Sequence, residues 1–274
     1  MKEQALGFIG AGNMAGSLIG GLISDGYPPE NISVSDVDAA KLNDLATRFG
    51  VQTFEDNKAV VARSQTVLLA VKPQVLEQVV RDIAAPVRER APLIISIAAG
   101  VREAAIDGWL GGGASIVRCM PNTPALVQTG ATALHANERV STDHKSLAEA
   151  IVRAVGIAVW VDREELLDLV TALSGSGPAY FFLFMEAMEN AAAEMGLDEA
   201  TARLLTQQTA LGAARIAIES EDGPADLRKR VTSPGGTTER AVEVFENGGL
   251  RSLVFDAMKA ANARAAELSK QLGG

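Results

Sequence analysis

Leu6-Gly7-Phe8-Ile9-Gly10-Ala11-Gly12-Asn13-Met14-Ala15 decides how the first half of the chain is read. Four residues suited to a buried strand run into a turn with glycine at 10 and 12, and a helical pattern begins near Asn13. The spelling from Gly10 is Gly-x-Gly-x-x-Ala. Glycine at 10 permits the tight turn, glycine at 12 lets backbone amides approach a pyrophosphate, and Ala15 is small enough for close packing of helix on strand. The start of the helix offers unpaired N–H groups and a partial positive charge to phosphates. Such a motif alone also fits a plain strand-to-helix turn, so the pattern of the downstream chain decides between the two.

Working outward, short β-branched runs recur: Ile32–Ser35, Val67–Val71, Leu93–Ile97 and Ile116–Met120. Helical patterns such as Ala39–Phe49 and Val75–Ala84 lie between them. Strict alternation implies crossover units and a mostly parallel, doubly wound α/β sheet covered on both faces, the Rossmann architecture. Gly130–Leu134 and Gly156–Val161, flanking Ser146–Val155, extend the sheet. After Asp162 the strand signal disappears. Leu166–Met195, Glu199–Glu219, Ala225–Arg230, Glu239–Asn247 and Arg251–Gln271 read as helices, so a dinucleotide domain of residues 1–162 precedes an all-helical domain of 163–274. The Ala-rich helices suit close packing against a second copy, which predicts at least a dimer.

Composition narrows the function. A formal net charge of −9 without a basic block argues against nucleic acid and acidic membrane partners. The single Cys119 forms no intrachain disulfide and reads as a small buried hydrophobe, no Cys/His cluster of metal-ligand spacing surrounds it, and no metal is expected. With no leader-like pattern at Met1–Gly10, a cytoplasmic location is expected. The most apolar later stretch, Ala179–Met188, is short for a membrane span and reads as a buried helix.

Candidate cofactor residues come from the fold. Gly10, Ala11, Gly12, Asn13, Met14 and Ala15 form the turn. Ser35 and Asp36 close the second strand, where the adenosine ribose binds. Asp36 has two readings: a carboxylate accepting from both ribose hydroxyls of NAD and repelling the extra phosphate of NADP, or a cap for the next helix. Asn57 is either an N-cap or an adenosine contact. Ala70, Val71, Lys72 and Pro73 lie at the carboxyl edge, where Lys72 meets cofactor oxygens or solvent, and Ala99 comes after the next strand. His135, read as following an edge strand, and His144, at a polar helix start, lie in no motif and read as structural.

Two further motifs are not explained by a dinucleotide fold. Met120-Pro121-Asn122-Thr123-Pro124 ends a strand on the nicotinamide side, stiffened by its prolines. Thr232-Ser233-Pro234-Gly235-Gly236-Thr237-Thr238 precedes a late helix. There Ser233 can cap, Pro234 suits an early turn, and the paired glycines bare amides in a concavity suited to a carboxylate.

At these residues the chain strongly resembles pyrroline-5-carboxylate reductase. The resemblance rests on the amino-terminal motif, Ala70-Val71-Lys72-Pro73, Met120–Pro124, Leu173-Ser174-Gly175-Ser176-Gly177-Pro178-Ala179-Tyr180 and the Ser233–Thr238 segment continued by Gly248-Gly249-Leu250-Arg251, and it covers essentially the whole chain. It implies reduction of 1-pyrroline-5-carboxylate to L-proline, the last step of proline biosynthesis, by hydride transfer from NAD(P)H to the imine carbon. It implies a substrate pocket at a dimer interface, with Thr238 on the ring nitrogen, the backbone near Gly236 and Thr237 on the carboxylate, and Glu221 in support. Met120, Asn122 and Ser233 complete the substrate set. Dimers of the family often assemble into a ring of five, a homodecamer. NADP is the usual cofactor, whereas Asp36 stands where NADPH-using members commonly show a small hydroxyl residue, which favours NAD.

A cyclic imine needs hydride at carbon and a proton at nitrogen. Thr238 can orient the nitrogen, but an alcohol is too weak an acid to act alone, so water or the protonated substrate supplies the proton. A β-hydroxyacid dehydrogenase shares this domain order but uses a lysine early in its helical domain, and Asp168–Gly196 contains none. A dinucleotide-sensing module has no need of the Ser233–Thr238 loop. Ser174 and Ser176 read as part of a glycine-rich passage that lets a helix pass close to the nicotinamide or its partner helix, rather than as nucleophiles.

Overall fold

The structure, a computed structural model, describes residues 4–272. Its first half runs β1 (Leu6–Ile9), α1 (Asn13–Ser24), β2 (Ile32–Ser35), α2 (Ala39–Phe49), β3 (Gln52–Phe54), α3 (Asn57–Arg63), β4 (Thr66–Leu69), α4 (Pro73–Arg90), β5 (Leu93–Ser96), α5 (Glu103–Leu110) and β6 (Ile116–Met120). It continues with β7 (Gly130–Ala136), α6 (Thr142–Arg153) and β8 (Gly156–Trp160). Then come α7 (Leu166–Val170), α8 (Gly177–Glu194), α9 (Glu199–Glu219), α10 (Pro224–Arg230), α11 (Thr237–Asn247) and α12 (Leu250–Leu272).

The strands form one sheet in the order β3-β2-β1-β4-β5-β6-β7-β8. Pairing is parallel from β3 through β6, with Leu6 opposite both Ile32 and Thr66; β7 runs antiparallel to β6, and β8 parallel to β7. Strands β1, β2, β4 and β5 are buried at every position. Helices cover both faces, so these strands read as continuous apolar runs. Alternate residues serve opposite faces. Phe8, Leu68 and Ile95 join Leu18, Leu45 and Ile151 of α1, α2 and α6, while Ile9, Leu69 and Ile94 join Val61, Leu76 and Ile106 of α3, α4 and α5.

Three expectations are corrected. The edge strand β3 had no bounds from sequence, because Gln52 is exposed and Thr53 and Phe54 only half-buried, which leaves no apolar run. His135 lies inside β7 rather than after an edge strand, and the edge belongs to β8, which leaves Ile157 and Val159 exposed. The stretch Ala179–Met188 is a helix but not a buried one: Phe181, Phe182 and Leu183 are 68%, 64% and 67% exposed. The helical run Leu166–Glu194 is long and apolar enough, by length and composition, to cross a membrane. Among the described residues Phe181, Phe182 and Leu183 have little cover, although α8 packs on α9 elsewhere.

The chain forms two compact units, one reaching to Ser176 and resuming at Ala261, the other Gly177–Ala260. This division differs from the 162/163 boundary read from strand loss. Side-chain ties explain the difference: Glu164 bonds Arg118 of β6, Asp168 of α7 bonds Arg102, and Ser269 of α12 bonds Asp168. In the second unit α8 packs on α9, and the rings of Phe184 and Phe245 meet with centroids 5.9 Å apart.

Candidate functional site

The carboxyl ends of β1, β2 and β4 meet at the glycine-rich turn, on the side where an open parallel sheet binds its ligand. Gly10 has φ +105°, and a methyl built on it would come 2.6 Å from the carbonyl oxygen of Ala70, so both conformation and space demand glycine. Gly10 N–H donates to the Ser35 carbonyl at 2.7 Å, and Ala70 N–H to that of Ile9 at 2.8 Å, which joins three of the sequence-read segments. Gly12 has nothing within 4 Å of the position its side chain would take, and it is the N-cap of α1 with no side-chain cap. The first amides of α1 therefore have neither an intrahelical acceptor nor a capping side chain, and the space before them is open. A pyrophosphate fits this cradle. Ala15 is 1% exposed, as close helix packing requires.

The two readings of Asp36 are resolved in part. The N-cap of α2 is Asp38, which accepts from the amides of Lys41 and Ala40; those bonds, that of Lys41 first, hold its carboxyl below the usual range. Asp36 instead accepts the Ala11 N–H at 2.7 Å and the Asp38 N–H at 2.9 Å, which couples the end of β2 to the glycine-rich turn. Each carboxylate oxygen keeps a further lone pair for a ribose hydroxyl. Asn57 is not an N-cap either. Asp56 caps α3, and Asn57 accepts from the Ser35 hydroxyl at 2.8 Å, beside Asp36 in sequence. Lys72, the exposed N-cap of α4, is followed by Pro73 at the first helical position. Ala99 is exposed in the loop after β5.

The Met120–Pro124 segment is anchored twice. Asn122 donates to the Ser174 carbonyl at 3.0 Å and accepts from the Ala131 N–H at 2.9 Å. Thr171–Gly175 forms a π-turn, and a methyl on Gly175 would come 2.7 Å from the Met120 side chain. The glycine-rich passage thus permits a close approach to Met120, where its composition suggests an approach to the nicotinamide or to a partner helix. Ser174 is not in a nucleophile arrangement: its hydroxyl donates to the Val170 carbonyl at 3.1 Å. Cys119 is buried, which pushes its thiol up to about 12, so it stays a protonated core side chain. Among the described residues no group of acidic, His and Cys side chains could hold a metal.

In the second unit the loop before α11 departs from expectation. Gly236, not Ser233, is the N-cap, and no side chain caps the helix. Gly235, at φ +72°, gives its N–H to the Glu239 carboxylate at 2.7 Å, and Gly236 gives its own to the Ser233 carbonyl at 3.0 Å. The glycine amides are therefore spoken for. The amides left for an anion are those of the first helical residues, beginning with Thr237 and Thr238. Glu221 is exposed in the turn between α9 and α10, and its neighbour Asp222 fixes that turn through Arg230 at 2.5 Å. Glu239 and Asp222, which carry the loop and the turn, were not singled out from sequence. An acidic residue four positions after a turn glycine was the available signal for Glu239.

Comparison with known proteins adds to this geometry. Residues 164–268 match the family model for pyrroline-5-carboxylate reductase dimerisation, and residues 5–100 match that for coenzyme F420-dependent NADP oxidoreductases. The chain is 50% identical to a pyrroline-5-carboxylate reductase of Pseudomonas aeruginosa over all of both chains. Among solved structures, a pyrroline-5-carboxylate reductase of Coxiella burnetii superposes with TM-score 0.94 at 48% identity, covering 97% of this chain and 98% of that one. The Plasmodium falciparum pyrroline carboxylate reductase with NADP bound gives TM-score 0.86 at 27% identity, covering 98% of this chain and 99% of that one.

Proposed function

We propose, from the premise that the chain belongs to the pyrroline-5-carboxylate reductase family, how its own residues divide the work of reducing 1-pyrroline-5-carboxylate to L-proline in proline biosynthesis. A reduced nicotinamide supplies hydride to the imine carbon. The observation that carries the cofactor site is the turn itself, where Gly10 is forced to be glycine and Gly12 faces open space at an uncapped helix.

In this reading the Gly10–Ala15 turn takes the pyrophosphate, with Ser35, Asp36 and Asn57 around the adenosine ribose. Ala70, Val71, Lys72, Pro73 and Ala99 line the path toward the nicotinamide. Met120 and Asn122, held against the π-turn, form one wall for the substrate. Thr237 and Thr238 bind its carboxylate through the free amides of α11, Gly236 caps that helix, Ser233 shapes the loop, and Thr238 orients the ring nitrogen. Glu221 is kept as a supporting residue from outside the loop. The proton reaches nitrogen from water or arrives with the protonated imine, since a threonine hydroxyl is too weak an acid.

Both NADPH and NADH turn over in this account, and the Asp36 carboxylate weighs toward NADH. The chain self-associates through the dimerisation region spanning residues 164–268. Exposed Phe181, Phe182 and Leu183 suit such an interface, and a ring of five dimers working in the cytoplasm is the assembly proposed. The test is loss of reduced-nicotinamide absorbance with pyrroline-5-carboxylate, run separately with each cofactor. Substrate-dependent oxidation of both supports the proposal. Tight cofactor binding with no turnover would leave only a dinucleotide sensor.

A further inference from the structure

Beneath the loop that joins β5 to α5 lies a polar cluster for which the reaction above has no use, all of it within the first unit. Arg102, Glu103 and Asp107 come from the start of α5, Arg118 from β6, His135 from β7, Glu164 from the segment after β8, Asp168 from α7 and Ser269 from the last turns of α12. Glu164 accepts from Arg118 and from the Glu103 backbone N–H, each at 2.6 Å. Asp168 accepts from Arg102 through one oxygen and from the Ser269 hydroxyl, at 3.1 Å, through the other. Asp107 pairs outward with Arg139 at 3.5 Å. The guanidiniums of Arg102 and Arg118 then face the carboxylates of Glu103, Glu164 and Asp168, which leaves one negative charge unmatched.

His135 stands where a proton completes this balance. Its Nδ1 lies 3.1 Å from the Val161 carbonyl oxygen, which can only accept, so Nδ1 carries hydrogen and the neutral ring presents a lone pair at Nε2. That lone pair faces Oε2 of Glu103 at 3.7 Å. The same Oε2 is sealed from solvent and has no hydrogen-bond partner. Two acceptors face one another, and a proton on either one makes the contact attractive. Burial, then the Glu164 charge, raises the Glu103 carboxyl above its ordinary value, against the opposing pull of His135 and Arg118.

The cluster holds one end of a loop implicated in the cofactor site. Glu164 fixes the first residue of α5, and Asp168 fixes Arg102, the N-cap. From α12, Leu268 and Leu272 lie against Gly100, each 3.5 Å from where its side chain would begin. Exposed Ala99 sits between these anchors and β5.

We infer that Arg102, Glu103, Arg118, His135, Glu164 and Asp168 are positioning residues that hold the Ala98–Gly100 loop for the reduced cofactor, and that a proton between His135 Nε2 and Glu103 Oε2 keeps the hold. The inference rests on the cofactor site proposed above. Its sign is set by the chemistry. Protonated Glu103, favoured at lower pH, donates to Nε2 and holds the loop; once rising pH removes that proton, lone pair and carboxylate repel and cofactor affinity falls.

The test is a fluorescence titration of the full-length protein with NADH alone from about pH 5.5, above the ordinary carboxylate range, to about pH 9. In the native protein the Kd is expected to rise about three- to tenfold across this range. In Glu103→Gln the amide donates N–H to Nε2 without a titrating proton, so the Kd is expected to stay level. Ser269→Ala, which removes a link to Asp168 but no charge, is expected to raise the Kd at every pH and keep the native slope. A native Kd that does not change with pH overturns the inference, as does a Glu103→Gln slope equal to the native one. If Glu103→Gln fails to fold, the native and Ser269→Ala profiles decide. NADH that binds at no pH overturns the cofactor site itself, and this inference with it.

Discussion

Replacing Asp36 by serine tests the residue to which the proposed cofactor preference is assigned. Its carboxylate accepts the Ala11 N–H at 2.7 Å and closes the ribose end of the turn. A 2′-phosphate on a ribose held there brings up to two negative charges within about 6 Å. At an effective dielectric of about 40 to 80 the repulsion is about 1.4–2.8 kcal/mol, or roughly ten- to a hundredfold in binding. Serine removes that repulsion but also removes a hydrogen bond to a charged acceptor, worth about 1.5–3 kcal/mol, so the turn loosens for both cofactors. Asp36→Ser is therefore expected to lower kcat/KM with NADH and to swing the NADPH-to-NADH ratio of kcat/KM toward NADPH by at least about tenfold. Steady-state rates with each cofactor at saturating pyrroline-5-carboxylate give the ratio. A ratio unchanged within about twofold refutes the electrostatic reasoning, and a swing toward NADH reverses it.

Thr238→Ala removes the hydroxyl assigned to the ring nitrogen and is expected to lower kcat by roughly ten- to a hundredfold without abolishing it; unchanged kinetics would remove the assigned role. Gly10→Ala combines a left-handed φ with a 2.6 Å approach to the Ala70 carbonyl. It is expected to cost about 2–4 kcal/mol in denaturant unfolding and to weaken cofactor binding, whereas a loss below about 0.5 kcal/mol would contradict the forced geometry. Phe182→Asp places a charge on an apolar face that is 64% exposed in the single chain. Sedimentation is expected to show dissociation at concentrations where the native chain is a dimer, and an unaffected dimer would place the interface elsewhere.

Long periodic segments were legible in sequence: Ala39–Phe49 and Glu199–Glu219 have the bounds their patterns imply, and every core strand except the edge strand β3 follows its apolar run. The glycine-rich turn was legible because Gly10 is required by its backbone conformation and by the Ala70 carbonyl against it, while Gly12 keeps the space before α1 open. Caps were less so. Asp36 and Asp38 are the same residue type two positions apart, and only the path of the chain shows that Asp38 caps α2 while Asp36 reaches back to Ala11. Ser233 looked like a cap for α11, yet the positive φ of Gly235 puts Gly236 there and Glu239 on the freed amide. The exposure of α8 was missed because the apolar run Ala179–Met188 has the same composition whether or not its own chain covers it. His135 and Glu103 are far apart in sequence and lie in no motif, so their meeting emerges only from the pairing of β6 with β7 and the start of α5.

The central claim is that the amides at the start of α11 take the substrate carboxylate and that the β1–α1 turn holds the dinucleotide. A crystal grown with proline and oxidised dinucleotide tests it most directly. The account predicts the proline carboxylate on the Thr237 and Thr238 amides, the ring nitrogen against the Thr238 hydroxyl, and the ring facing the nicotinamide. Proline bound away from that loop, with the dinucleotide in its turn, would contradict it.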